Sequence, residues 1–147
     1  MGSQDRKLTP TYRATRTVRI RYPLAGRFMR MDLHLEGQVL TTWMPGYAVS
    51  LLTDRGTEIQ IENEFTLRHG GEHKQVKPDV NLDFPVELQQ QMITRSVIEE
   101  SGTLDISFDN GVAIRVPPDN DYEAWNITGP TRKYVCGPGG EIVTWGA

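Results

Sequence analysis

Two stretches of the chain carry one pattern, and a chain that spells the same strand–turn–strand signal twice has few ways to fold. Residues 39–61 read VLTTWMPGYAVSLLTDRGTEIQI, and residues 93–116 read ITRSVIEESGTLDISFDNGVAIRV. Val39 and Trp43 match Ile93 and Val97 at an offset of 54. Past a gap, Val49, Leu51, Asp54, Gly56, Ile59 and Ile61 match Leu104, Ile106, Asp109, Gly111, Ile114 and Val116 at an offset of 55. Each copy reads as a strand, a second strand of alternating apolar residues, an Asp-x-Gly turn and a third strand. The expected fold is all-β, with two pseudo-repeated three-stranded antiparallel units packed as a sandwich or partly closed roll and one or two short helices. Its inward positions are expected to be Val39, Trp43, Val49, Leu51, Ile59, Ile61, Ile93, Val97, Leu104, Ile106, Phe108, Ile114 and Val116.

The flanking sequence extends this outline. Leu33 and Leu35 alternate with charged neighbours, Gly37 allows a bend, and Val39, Thr41 and Trp43 continue the strand, with His34 inside it. Phe65 and Leu67 suggest a fourth short strand, and residues 69–83 read as a polar loop. Residues 86–91 suit a single helical turn. Asn110-Gly111 suits the two positive-φ positions of a type I′ hairpin turn. Asp119 or Asn120 is placed to cap a short helix over residues 121–125. Residues 133–136 and 141–145, joined by Gly-Pro-Gly-Gly, read as a closing hairpin.

Length and charge narrow the class. A chain of 147 residues is one domain by size and buries a core without disulfides. No apolar run approaches the ~18 residues of a membrane span, so no membrane partner is expected. The lone Cys136 can form no internal disulfide, which makes the cytoplasm the default. Residues 1–30 hold eight basic side chains against one acid, whereas the remaining 117 hold eight against eighteen. The division is a basic N-terminal arm (1–30) on an acidic β domain (31–147). Residues 15–22 (TRTVRIRY) alternate like an edge strand. Arg13, Arg16, Arg19, Arg21, Arg27 and Arg30 form a candidate polyanion-binding set.

The chemistry-bearing motifs are weak. Residues 69–73 (HGGEH) match the H-x-x-E-H pattern of one class of zinc peptidases, but Gly-Gly is a poor helix interior and the histidines need one helical face. Residues 119–123 (DNDYE) alternate acids as a calcium loop does, yet the later positions such a loop requires hold Ala124 and Pro130. Cys136 reads as a small hydrophobe in a strand, and Gly137-Pro-Gly-Gly140 as a turn rather than a phosphate cradle. Trp43, Trp125 and Trp145, with Tyr47, Tyr122 and Tyr134, furnish the core in the simplest reading and a ligand-stacking patch in another. No catalytic residue, cofactor ligand or metal ligand is assigned, no cofactor is expected, and an enzyme is not the expected class.

From Met31 onward the chain resembles a family of small, uncharacterised actinobacterial proteins built on a domain of unknown function. The resemblance rests on residues 31–37 (MDLHLEG), residues 47–51 (YAVSL) before the Gly56 turn, and residues 102–111 (GTLDISFDNG). It rests also on residues 121–130 (DYEAWNITGP), and it covers about four fifths of the chain. It implies no activity and no functional residues. More loosely, paired hairpin units of this size are similar to some immunity proteins that neutralise bacterial toxins, an analogy of fold alone. Residues 1–30 depart from the family pattern and read as a basic tail, an extension upstream of a start at Met31, or a targeting peptide.

The expected function is a non-enzymatic cytoplasmic module that binds another protein through an acidic face. Such a field steers basic partners. The alternative is nucleic-acid binding through the basic arm, against which the acidic body would repel the same polyanion.

Overall fold

A computed structural model of the protein describes residues 17–18, 30–83 and 85–146. Its strands are β1 (Thr17–Val18), β2 (Met31–Asp32), β3 (Leu40–Met44), β4 (Val49–Thr53), β5 (Glu58–Ile61), β6 (Phe65–His69) and β7 (Glu72–Val76). They continue as β8 (Ile93–Ile98), β9 (Leu104–Phe108), β10 (Val112–Val116), β11 (Trp125–Thr128), β12 (Arg132–Cys136) and β13 (Ile142–Gly146). One sheet has the order β13-β12-β11-β5-β4-β3, with β1 added at the β13 edge, and the other β2-β8-β9-β10-β6-β7. Every pairing is antiparallel, and the sheets face one another as a sandwich that does not close into a barrel. Among the described residues, helix is confined to 3₁₀ turns at Val86–Leu88 and Pro138–Gly140.

The two repeats lie in different sheets. β3-β4-β5 form half of one sheet and β8-β9-β10 half of the other. Each meander then sends its next hairpin across the sandwich: β6-β7 pair beside β10, and β11-β12 pair beside β5. The exchanged hairpins are equivalent as well. Trp125 stands opposite Ile61 and Cys136, in a register that places Phe65 next to Val116 and opposite Val76. The repeat therefore covers five strands, and each unit lends its last two to its twin.

A matched set of hydrogen bonds marks where the units meet. Val39 and Met92 form an isolated antiparallel bridge. Around it, Leu40 N–H donates to Gln91 O at 2.9 Å and Ile93 N–H to Gln38 O at 2.8 Å. Gly37 N–H donates to Ile93 O and Gln90 N–H to Leu40 O, at 2.9 and 3.1 Å. Asp54 N–H donates to Val39 O and Asp109 N–H to Met92 O, both at 2.9 Å, while the two Asp side chains accept from Val39 N–H and Met92 N–H. When residue i bonds j and the equivalent of j bonds the equivalent of i, the two parts are related by a two-fold axis. Here that axis runs by Val39 and Met92.

This pattern corrects the first strand of the repeat. Leu40 and Trp43 oppose Thr53 and Leu51 with a bulge between Leu40 and Thr42. Ile93 and Ser96 oppose Phe108 and Ile106 with a bulge between Ile93 and Arg95. The equivalent pairs are thus Leu40/Ile93 and Trp43/Ser96, a spacing of 53, and not Val39/Ile93 and Trp43/Val97. Because side chains alternate with period two, the one-residue difference changes faces. Val97 opposes Asp105 and points away from the sandwich, although it is buried, while Val39 is half-buried beside the axis. The other expected inward residues do line the core, Trp43 packing on it half-buried, and Phe65, Leu88 and Trp125 join them.

Four further expectations change. Residues 69–83 are not one loop: Gly70-Gly71 is a two-residue turn, and Glu72–Val76 is an exposed edge strand whose only buried residue is Val76. Residues 121–125 form no helix, since Asp119 Oδ1 accepts from Asp121 N–H at 2.8 Å and Tyr122 N–H at 3.0 Å in a turn that leads into β11. His34 lies outside the strands, exposed, with φ +56°. At the β9–β10 turn only Gly111 has positive φ, and its N–H donates to Phe108 O. That makes a three-residue loop with a glycine bulge rather than a type I′ turn.

Candidate functional site

The registers gather one set of loops at one end of the sandwich. Val49, Ile61, Trp125 and Cys136 lie in one cross-strand row of the first sheet, and Leu104 opposes Val116 in the second. The connections next to them bond to each other. Glu62 N–H and Asn63 N–H donate to Ala124 O, and Asn63 Nδ2 to Pro117 O at 3.1 Å. Trp125 Nε1 donates to Gly102 O at 3.0 Å, and Gly139 N–H to Asp119 O at 2.8 Å. Residues 101 and 140 touch through their backbones, so closely that a Cβ on Gly102 would stand 2.7 Å from Gly140 Cα.

This end is acidic. Residues 62–64, 99–103, 117–124 and 137–141 contain Glu62, Glu64, Glu99, Glu100, Asp119, Asp121, Glu123 and Glu141, and no lysine or arginine. Two tyrosines stand out from it, Tyr47 at 85% exposure and Tyr122 at 73%. A large aromatic ring held in water beside acidic loops is a feature of binding surfaces more than of solubilising ones. Glu123 is tied to the sheet, accepting from Asn126 Nδ2 at 2.7 Å, and Asn126 also donates to Gln60 Oε1 at 3.0 Å.

From Glu99 the charge continues onto the outer face of the second sheet. Asp32, Val97, Asp105, Arg115, Thr66 and Gln75 form one outward cross-strand row. Arg115 grips Glu99 with both guanidinium nitrogens, at 2.8 and 2.9 Å, and Asp105 Oδ2 at 3.0 Å. Its bonds hold the Glu99 carboxyl below the usual carboxylate range, and Glu99 in turn raises Arg115. Asp105 is only 6% exposed, Arg95 stands 4.0 Å from its Oδ2, and its Oδ1 is buried with no hydrogen-bond partner. The same positions in the first unit hold Ser50 and Gln60, two uncharged residues.

The sequence candidates fall as follows. Arg13, Arg16, Arg19, Arg21 and Arg27 lie outside the described residues, and Arg30 is exposed just before β2, where its charge helps to lower the Glu99 carboxyl. Thr17 and Val18 pair with Trp145 and Thr144. His69 and His73 sit exposed on the two strands of one hairpin, not on a helix. Among the described residues, Asp32, His34 and Glu36 bring one ligand atom each within 4.8 Å of one another, all exposed. Cys136 is fully buried, and burial pushes its thiol up to about 12, a form suited to packing and not to nucleophilic attack. Sequence reasoning missed Asp105 and Arg115. The signal was present in a position-by-position comparison of the copies, where Ser50 aligns with Asp105 and Gln60 with Arg115.

Fold and site together define an all-β sandwich with an acidic loop end, and no helix among the described residues is long and apolar enough to cross a membrane. The chain belongs to the family of unknown function DUF6188, which it matches over residues 31–146. No curated protein and no solved structure matches it.

Proposed function

We propose that the protein is a non-enzymatic module that captures a basic protein partner with its acidic end. The observation that carries this reading is the meeting of four mutually bonded loops that hold eight acids and no lysine or arginine of their own, Glu99 alone being gripped by Arg115 of β10, with Tyr122 exposed in one loop and Tyr47 exposed just before β4. The acids would steer a cationic partner at long range, and the two rings would supply apolar contact at short range. The bonds between the loops present the surface ready-made, so little ordering entropy is lost on binding. Neutralising a basic toxin, as immunity proteins do, is one task such a surface fits, in the cytoplasm of an actinobacterial cell.

The test uses the full chain as bait in lysate of the source organism, at low and moderate salt and with nuclease treatment. A captured protein is then purified and titrated against wild type and Y47A/Y122A. The reading expects a basic protein whose affinity falls with salt and drops ~10-fold or more in the double variant. Capture abolished by nuclease would instead favour nucleic-acid binding by the basic arm. A purified partner indifferent to Y47A/Y122A and to salt would overturn the acidic end as the surface.

A further inference from the structure

Buried charge needs a reason, and the fold itself does not provide one here. The first unit builds the same strands with Ser50 and Gln60 where the second has Asp105 and Arg115. An ionised carboxylate in a nearly closed position normally has all its lone pairs served, since desolvation is otherwise uncompensated. Asp105 does not meet that condition. Arg115 Nη1 serves Oδ2 at 3.0 Å, whereas Oδ1 has no donor. The atom belongs to the outward row, flanked by Val97 on one strand and Arg115 on the other, so it does not face the core.

We infer that Asp105 Oδ1 is the receptor atom for one arginine side chain of a partner. This rests on the reading of the protein as a binder of basic proteins and names the anchor within it. The surroundings suit a guanidinium. Val97 gives an apolar floor for the stem, and Asp32 and Glu99 lie on the same outward face within two positions of Val97. Arg115 is already spread flat between Glu99 and Asp105, and guanidinium planes stack on one another where carboxylates neutralise them. A lysine ammonium is more strongly hydrated and gains less from a dry site. Access to Oδ1 requires a surface side chain to shift, and Arg95, 41% exposed and held to Asp105 only at 4.0 Å, is the one least restrained. The atom is thus protected until a donor arrives that replaces water with a charge-assisted hydrogen bond.

The probe is a tetra-arginine peptide with blocked ends, titrated by calorimetry into the full chain and into D105N, D105S and E100Q, with tetra-lysine in parallel. D105S installs the residue of the first unit, and D105N keeps the side-chain shape, so at least one variant folds with the wild-type melting profile. The inference expects D105N and D105S to weaken tetra-arginine ~10-fold or more, the scale of one charge-assisted hydrogen bond. E100Q, which removes one exposed charge from the same end, should weaken it ~2-fold to 3-fold. Equal losses in D105N and E100Q would leave the acidic end as a diffuse field and overturn the anchor, while the proposed function stands. No salt-dependent binding to wild type would overturn both. Tetra-lysine bound as tightly, with the same dependence on Asp105, would overturn the assignment to arginine.

Discussion

The two units of this molecule are alike at the axis and where β4, β5, β9 and β10 face the core, and unlike on the outer faces of those same strands. Both have the bulge at the same place in the first strand, the same turn aspartate accepting from a backbone N–H at the axis, and the same hairpin sent to the opposite sheet. Inward, Val49, Leu51 and Ile59 correspond to Leu104, Ile106 and Ile114, changes of an apolar residue for an apolar one. Outward, Ser50 and Gln60 correspond to Asp105 and Arg115. Packing density constrains the first set, because a methylene added or lost inside is felt directly. Nothing comparable constrains the second. A charge network confined to one copy is therefore not demanded by the strand pattern that the two copies share.

Substitutions can break or sharpen the comparison, and the largest effect belongs to the exchanged hairpins. Trp125 and Phe65 occupy equivalent, fully buried positions, so W125A and F65A should each cost ~3–5 kcal/mol in urea denaturation. W125F, which borrows the residue of the other unit, should cost less, about 1–2 kcal/mol, for lost volume and the lost bond to Gly102 O. A W125F loss as large as that of W125A would contradict the equivalence of the hairpins.

The glycine near the axis gives the next effect. Gly37 has φ +91° and its equivalent Gln90 has φ +60°, within the left-handed region that a non-glycine residue tolerates at a cost. G37A should lose about 1–2 kcal/mol, whereas Q90G should change stability by under ~0.5 kcal/mol as relieved strain offsets added chain entropy. Thermal denaturation of the two variants reads both, and matched losses would show that the two turns are not strained alike.

A further effect is read only as a slope with pH. The Cys136 thiol ionises near 12 in the folded chain against an ordinary 9.0, so above pH 9 the unfolded state loses its proton first. The stabilisation is present below pH 9 and declines as pH rises toward 12. Wild type should therefore lose stability across that window more steeply than C136A. Parallel slopes would mean that the thiol titrates alike in both states.

Most of the architecture was legible because the apolar residues of β4, β5, β9 and β10 alternate cleanly and Asp-x-Gly marks each turn. The first strand was not, for a physical reason. A bulge at the residue after Leu40, and again after Ile93, inserts one position into the period, so that Val39 and Val97, which a regular strand would place inward, leave the core face. β7 lacks an apolar period because both its faces are wet except at Val76. The run after Asp119 has the acids of a helix start, but the chain must enter β11 at Trp125, and long-range pairing overrides the local signal. The acidic end was legible only as a surplus of acids, since which loops meet depends on the crossovers. Asp105 and Arg115 were hidden by the expectation that strand residues serve the core.

The most direct test is a denaturation cycle of wild type, D105S, R115Q and D105S/R115Q in urea at neutral pH. R115Q alone strands the buried Asp105 carboxylate and should cost about 2–4 kcal/mol. The double variant copies Ser50 and Gln60 into the second unit, and if the charges do not hold the fold it should return to within ~1 kcal/mol of wild type. A double variant that stays as unstable as R115Q, or falls further, would show that the network is structural and contradict the account.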